Sequence, residues 1–251
     1  MKIIFHDKFY DDTYADDSAA LPGRMSSIMK SLLPHYEIIT PELATYRDIL
    51  QVHDQSYIES VQKSRQLYNM ALLSAGGAIS AAKTGISGEA AFAAIRPPGH
   101  HAHPNFGWGF CHFCNMAIAI HKLKRDKKIK SAFVLDFDAH TGDGTRDCLA
   151  QWNAVTIFNP MAADNKQYLK KIDSFIKKID HVDIVAVCAG FDSYIKDCGQ
   201  KLTRFDFYKI GYMMKALAKR LGHHRRFAIL EGGYYLPDLG KNVLAFCNGF
   251  E

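Results

Sequence analysis

SAFVLDFDAHTGDGT, residues 131–145, joins an apolar run to a stretch rich in carboxylates, histidine and glycine. Similar apolar runs recur along the chain at 2–5, 91–95, 154–158, 183–190 and 226–233. Helical patterns lie between them, with helix starts marked by Pro22 and by Thr203 followed by Asp206. Strands that are apolar throughout and alternate with helices predict a mainly parallel sheet with helices on both faces. We therefore expect a single α/β domain over residues 1–251.

The composition is that of a globular protein rather than of a membrane or disordered one. The chain has 251 residues, of which 48% are hydrophobic and 23% charged, and its net charge is +5. No apolar run approaches the ~20 residues needed to cross a bilayer, and the amino terminus lacks the apolar core of a signal peptide. The densest basic stretch, 121–130, favours the solvated end of a helix over a nucleic-acid patch. We expect a cytoplasmic protein with no membrane or direct nucleic-acid partner.

Six cysteines are scattered along the chain, and they favour reduced thiols over a disulfide framework. Cys111 and Cys114 form a lone C-x-x-C. A structural zinc site would need a second pair with similar spacing, so a reversible disulfide is the stronger of the two interpretations.

Four of the predicted strands run directly into unusual polar or glycine-rich sequence. The runs are followed by RPPGHHAHPNFGWGF (96–110), DFDAHTGDGT (136–145), FDSYIKD (191–197) and EGGYY (231–235). In open parallel sheets, ligands bind beyond the carboxyl ends of the strands. The residues with reactive side chains are therefore expected to meet at one rim of the sheet.

Asp136, Asp138 and His140 occupy positions i, i+2 and i+4, which project to the same side of an extended strand. Two carboxylates in such a row repel one another unless a cation or hydrogen-bond donors compensate them. Asp138 and His140 are a natural pair of zinc ligands, and Asp192 is a candidate third. Such a set leaves one coordination position free for water, as in catalytic zinc sites. A strand-end cluster satisfied by backbone amides explains this motif alone equally well.

The tandem histidines His100 and His101 favour the functional interpretation. Two adjacent histidines in a proline- and glycine-rich loop have no obvious packing role, and imidazole suits proton transfer near neutral pH. Asp136 and Asp143 are the candidate carboxylates that hold them.

Tyr234 follows two glycines at the end of the last apolar run. Glycines there allow close backbone approach, which would place the Tyr234 hydroxyl over the rim as a donor to an oxyanion. A tight turn with an ordinary half-buried tyrosine is the alternative.

Five motifs now stand in one order along the chain. They are R-P-P-G-H-H-A at 96–102, G-F-C at 109–111, D-x-D-x-H at 136–140 followed by G-D-G at 142–144, A-G-F-D at 189–192, and L-E-G-G-Y at 230–234. In this order and combination they resemble the histone deacetylase superfamily, which includes acetylpolyamine amidohydrolases and acetoin-utilisation proteins. The resemblance spans most of the chain.

The resemblance implies an arginase-like α/β fold, the deacetylase-like fold, and one zinc ion. It implies zinc ligation by Asp138, His140 and Asp192. It pairs His100 with Asp136, and His101 with Asp143, and gives the proton shuttle to His101. By the same resemblance, Tyr234 polarises the scissile carbonyl.

Substrate contacts also follow from the resemblance. Gly109 and Phe110 would line an acyl-lysine channel, with Gly232 and Gly233 in its wall, and Arg24 would help the released carboxylate leave. The backbone of the metal loop resembles a site for potassium. The chain departs from the family at Thr141, where a second histidine is usual, and this change bears on the local hydrogen bonds more than on the metal.

The leading functional hypothesis is a zinc amidohydrolase acting on an acylated amine, either an acyl-lysine peptide or an acylpolyamine. One alternative is a ureohydrolase with two manganese ions, although only Asp197 follows Asp192 where further aspartates are expected. Another is a catalytically silent binder of acyl-lysine or of a small ligand. The sequence leaves the substrate, the acyl chain and the oligomeric state open.

Overall fold

The apolar runs become seven strands of one sheet in a computed structural model that describes all residues, 1–251. All strand pairs are parallel, in the order β2-β1-β3-β7-β6-β4-β5. The strands are β1 (Lys2–Ile4), β2 (Glu37–Ile39), β3 (Ala91–Ala93), β4 (Ala132–Asp136), β5 (Val155–Phe158), β6 (Val185–Ala189) and β7 (Arg226–Leu230).

Nine α-helices connect the strands. They are α1 (Arg24–Leu32), α2 (Tyr46–Ile49), α3 (Gln55–Gln62), α4 (Arg65–Ile86), α5 (Asn115–Arg125), α6 (Asp143–Leu149), α7 (Asn165–Ile176), α8 (Arg204–Arg220) and α9 (Leu236–Phe250). Helices α4 and α5 pack together as one layer, and α8 packs with α9 and α9 with α1 as another. Strands β4, β6 and β7 are buried along their whole length, as expected for a sheet covered on both faces. The predicted α/β fold is confirmed.

Of the two predicted helix starts, the one at Thr203 is confirmed and the one at Pro22 is wrong. Thr203 and Asp206 form a capping box in which each side chain accepts a hydrogen bond from the other's backbone N–H. Pro22 does not begin the first helix: α1 starts at Arg24, after Gly23 at a φ of 80°. The edge strand β2 has no counterpart among the predicted strands because it is only three residues long and partly exposed.

The order of strands brings the polar segments together. Strands β3, β7, β6 and β4 are consecutive neighbours in the sheet, and they are the four strands that run into the polar segments. Because all are parallel, their carboxyl ends lie on the same rim. No helix of this fold is long and apolar enough to span a membrane.

Candidate active site

Asp138, His140 and Asp192 converge at the ends of β4 and β6. His140 Nδ1 lies 3.0 Å from Asp138 Oδ1 and 3.0 Å from Asp192 Oδ2. Both carboxylates are buried, whereas the His140 side chain is 52% exposed. The three donor atoms therefore sit together at a position that solvent reaches from the His140 side.

The electrostatics of this cluster match a cation site. Burial and the charge of Asp138 raise the pKa of Asp192 to about 7. Burial opposes ionisation of Asp138 too, but His100 and His140 outweigh it and lower its pKa. Hydrogen bonds to both carboxylates raise the pKa of His140 to about 10. Two buried carboxylates that compete for one proton gain most from a bound metal ion, and this nitrogen and oxygen set suits zinc.

Glycines make room for these carboxylates. A Cβ atom on Gly142 would lie 2.1 Å from Asp136 Oδ2, and one on Gly232 would lie 2.7 Å from Asp138 Oδ2. The Gly232 N–H donates to the same Asp138 oxygen over 3.0 Å. The backbone at Gly142 and Gly232 therefore lies against the carboxylates of Asp136 and Asp138, in space that a Cβ atom would occupy.

His100 is held by buried acids on two sides. Its Nδ1 lies 3.1 Å from Asp136 Oδ2, and its Nε2 lies 3.8 Å from Asp138 Oδ1. Burial disfavours the charged ring, but Asp138 and Asp136 outweigh burial and raise the pKa of His100 well above its ordinary value. The two aspartates therefore favour the charged form of His100.

His101 is paired with a different carboxylate. Its Nδ1 lies 2.7 Å from Asp143 Oδ1 at the start of α6, and its ring is 4.0 Å from that of His100 between centroids. Burial and the charge on His100 lower the pKa of His101, and Asp143 opposes that shift. The pKa values of the two histidines are thus shifted in opposite directions, which suits one fixed cation and one proton carrier.

Tyr234 and the channel residues line a cavity of about 240 Å³ with both histidines, Asp138 and His140. Burial raises the pKa of the Tyr234 phenol, so that it remains a hydrogen-bond donor. Gly109 and Phe110 also line the cavity, and both have left-handed backbones, with φ of 57° and 67°. A Cβ on Gly109 would meet the His101 ring at 2.7 Å, so only glycine fits there. Phe110 holds a strained conformation, as is common at functional sites.

Arg24 lies beneath this cavity. Its guanidinium is 5.4 Å from the centre of the Tyr234 ring, and its Nε and Nη2 atoms donate to the carbonyl oxygens of Gly233 and Glu231. Its Nη1 atom is buried without a hydrogen-bond partner, as are the Tyr14 hydroxyl and Arg96 Nε. Arg24, Tyr14 and Arg96 therefore each keep one polar atom that no protein group satisfies.

Comparison with known proteins finds relatives that cover most of this chain. A family model described as the histone deacetylase domain matches residues 19–168. A probable deacetylase of Archaeoglobus fulgidus is 28% identical, over 99% of this chain and 86% of its own length. A histone deacetylase-like amidohydrolase of Pseudomonas aeruginosa is 37% identical, over 93% of this chain and 77% of its own length.

The chain belongs to the histone deacetylase family. The crystal structure of the HDA15 HD domain resembles it with a TM-score of 0.86 at 20% identity, covering 98% of this chain and 88% of that one, and this likeness supports the fold. The family resemblance expected from the motifs is therefore confirmed. Membership in the histone deacetylase family supports deacylase activity, in a family that is typically metal-dependent.

Three residues of this candidate site were not identified from the sequence. Glu231 is buried, and its Oε2 atom accepts the backbone N–H groups of Gly99 and His100, so it fixes the histidine loop to the end of β7. Trp108 stacks on His101 and donates to Asp143, while His103 contacts Asp143 from another side. The position of Glu231 directly after an apolar run could have identified it, because a carboxylate buried at the end of a strand seldom lacks a role. His103 and Trp108 carried none.

Cysteines lie close to this candidate site. Cys111 and Cys114 are both free thiols, and the Cys114 thiol faces Thr145. Cys198 lies 3.8 Å from Asp192 Oδ2 and is an exposed neighbour that the sequence did not suggest.

Proposed function

We propose that this protein is a zinc-dependent deacylase that removes an acetyl or related acyl group from an amine, such as an acyl-lysine peptide or an acylpolyamine. One observation carries the proposal: His140 Nδ1 lies 3.0 Å from both Asp138 and Asp192, within a cavity also lined by His100, His101 and Tyr234. Three protein ligands of mixed nitrogen and oxygen character are typical of catalytic zinc sites.

The protein side chains divide the acid–base work. Bound zinc would supply an activated water molecule and polarise the acyl carbonyl. His101 is neutral near pH 7 because its pKa is lowered, so it accepts a proton from the attacking water and returns it to the leaving amine. Tyr234 donates a hydrogen bond to the developing oxyanion. His100 stays charged and stabilises the same negative charge.

The acid product is opposite in charge to Arg24 and Arg96, whose guanidinium groups lie over the rings of Tyr234 and Tyr14. Hydrolysis of an N-acyl amine releases a carboxylate, and neither Arg24 nor Arg96 forms an ion pair with a carboxylate of the protein. The unpartnered Arg24 Nη1, Arg96 Nε and Tyr14 hydroxyl would satisfy a small carboxylate. This supports a role for Arg24 in product release.

The ureohydrolase alternative is disfavoured by the position of Asp197. Its Oδ2 atom accepts the backbone N–H groups of Tyr234 and Tyr235 over 2.6 and 2.7 Å. Asp197 therefore holds the Tyr234 turn and does not supply a ligand for a second metal. The silent-binder alternative leaves two oriented histidine–aspartate pairs without a purpose.

Turnover on a substrate panel tests the proposal. The purified protein is assayed on acetyl-lysine peptides, longer acyl-lysine peptides, acetylpolyamines and guanidino compounds, and the metal content of the same sample is measured. We expect acyl release with one zinc per chain. Urea release with two manganese ions would establish the ureohydrolase alternative, and tight binding of acyl-lysine without turnover would establish a silent binder.

Two further expectations belong to this proposal. We expect a reducing, cytoplasmic location, because six cysteines scattered through a chain of this size favour reduced thiols. Potassium on the backbone of the 136–145 loop stays a prediction that metal analysis of the same sample would test.

A further inference from the structure

His103 occupies a position between two carboxylates of α6. Its Nδ1 atom lies 2.6 Å from Asp147 Oδ2, and its Nε2 atom lies 3.5 Å from Asp143 Oδ2. Nδ1 carries a proton, because the Asp147 carboxylate can only accept. Nε2 is buried, makes no hydrogen bond and lies opposite Asp143, so it attracts that carboxylate only when it also carries a proton. Asp143 in turn holds His101 through its other oxygen.

The loop that carries His103 is built to fix its direction. His103 N–H donates to the Phe106 carbonyl over 2.7 Å, and the His103 and Phe106 rings stack with centroids 4.1 Å apart and planes 11° apart. Ala102 and Gly107 close the turn as an antiparallel bridge. The His103 carbonyl is bound by His53 Nδ1 over 2.9 Å, and His53 Nε2 accepts the Cys114 N–H. A histidine serving only to fill space would not need so many constraints.

Asp143 needs such support because 40% of its side chain is exposed. An exposed carboxylate would exchange its contact with His101 for water unless neighbouring donors restrict its rotamers. Trp108 Nε1 donates to Asp143 Oδ2 over 3.2 Å, and the Gly144 N–H donates to Oδ1 over 2.9 Å. His103 approaches Oδ2 from the remaining side.

We infer that His103 is a positioning residue. It joins Asp143 to Asp147 in the sequence His101–Asp143–His103–Asp147, and thereby keeps Asp143 aimed at His101 Nδ1. This inference rests on the proposed function, in which His101 carries the proton. Outer partners that orient the ligands of a metal site typically contribute a factor of roughly 10–100 to metal affinity or activity, and we expect an effect of similar size for His103.

His103→Phe is the direct test, because phenylalanine retains the stacked ring and removes both nitrogens. We expect kcat to fall roughly tenfold or more with KM unchanged. Asp147→Asn, at a side chain that is 59% exposed, should lower kcat less and keep the fold. Asn105→Ala, at the exposed tip of the same turn, is the matched control and should leave kcat unchanged.

A double-mutant cycle separates positioning from general damage to the loop. In an Asp143→Asn background, His103→Phe should have no further effect on kcat, because the residue through which it acts is already lost. An equal loss of kcat in both backgrounds, or an unchanged kcat in both His103→Phe and Asp147→Asn, would overturn the inference. Should His103→Phe fail to fold, the same cycle with Asp147→Asn decides.

Proton NMR of the metal-free protein provides a readout that does not depend on activity. The His101 Nδ1–H resonance, assigned by its loss in His101→Gln, should lie downfield and move upfield in His103→Phe. A resonance unchanged by His103→Phe counts against the inference even if deacylation is observed. Conversely, absence of turnover in the unmodified protein contradicts the proposed function, and the resonance still tests the positioning of Asp143.

Discussion

At the scale of single residues, the metal cluster contrasts two aspartates in the same short loop. Asp192 lies 3.0 Å from His140 Nδ1, whereas Asp197 caps the backbone of the Tyr234 turn. Asp192→Asn should remove zinc and activity, because the remaining two ligands lack the second negative oxygen. Elemental analysis of the purified variants is the measurement. Asp197→Asn is the control and should retain one zinc. If only the Asp197→Asn variant lost its metal, the assignment of Asp192 as the ligand would be wrong.

The Tyr234 hydroxyl is the proposed oxyanion donor. Tyr234→Phe keeps the ring above Arg24 and leaves the metal ligands untouched. Loss of one such donor typically lowers turnover by roughly 10²–10³. We expect that decrease in kcat with zinc content unchanged. A kcat within a few-fold of the parent value would make Tyr234 a packing residue.

The paired histidines predict a pH dependence with a definite sign. The pKa of His101 is lowered by burial and by the charge of His100, so kcat/KM should fall as the pH drops below the ordinary range of histidine. The Asp143 carboxylate favours the charged form of His101, so Asp143→Asn should lower the His101 pKa and move this acidic limb to lower pH. The profile of kcat/KM against pH for both proteins checks the direction.

Alanine variants test the assignment of the two roles. His101→Ala should remove the acidic limb and lower kcat more than His100→Ala does, because a permanent cation cannot accept a proton from water. Zinc content is measured in both variants. Loss of the limb in His100→Ala, with the limb retained in His101→Ala, would exchange the roles.

The sequence predicted these residues unequally for a physical reason. Asp136 ends β4, and Asp138 and His140 follow it in the next four residues, so the local sequence was sufficient to group them although the latter two lie in a bend and not on the strand. His103 and Trp108 reach Asp143 only because the turn 102–107 folds back against α6. Such a contact depends on the path of the loop, and no periodicity in the sequence describes that path.

At the scale of secondary-structure elements, the sequence predicted buried strands and capped helices. It did not predict which strands are adjacent in the sheet. Strands β3, β7, β6 and β4 come from distant parts of the chain, yet they are adjacent in the sheet. Their apolar sequences specify burial on both faces but do not specify a partner. The family resemblance implied the type of fold, and the order of the strands is known from the structure.

Helices α8 and α9 meet through backbone contact, and this gives a stability prediction. A Cβ on Gly211 would lie 2.3 Å from the Phe246 carbonyl oxygen, and one on Gly249 would lie 2.1 Å from that of Tyr208. Gly211→Ala should lower the free energy of unfolding by about 1–3 kcal/mol through overpacking. Helix propensity alone would raise it by about 1 kcal/mol.

Chemical denaturation measures this difference. Ala216→Gly, at an exposed position on α8, is the matched control and gives the propensity term without a packing change. A Gly211→Ala protein more stable than the parent would show that the two helices separate freely.

At the scale of the whole molecule, the site combines four polar segments that follow the carboxyl ends of neighbouring parallel strands and therefore lie at one rim of the sheet. Polar and charged side chains concentrate there while both faces of the central strands stay apolar. The half-exposed His140 opens the cavity to solvent on one side. The fold therefore supports the site mainly through backbone placement, and the surrounding layers of helices hold that backbone in place.

The missing side chains of Gly142 and Gly232 have a consequence for how this protein tolerates mutation. A Cβ at either position meets only side-chain atoms at these short distances, mainly the carboxylates of Asp136, Asp138 and Asp192, which can rotate away. Substitution by alanine would then displace the carboxylates and leave the core intact. A saturation mutagenesis scan can measure both protein abundance and deacylation. Substitutions at Gly142 and Gly232 should leave abundance nearly unchanged and should abolish deacylation. Core glycines such as Gly211 should be intolerant in both.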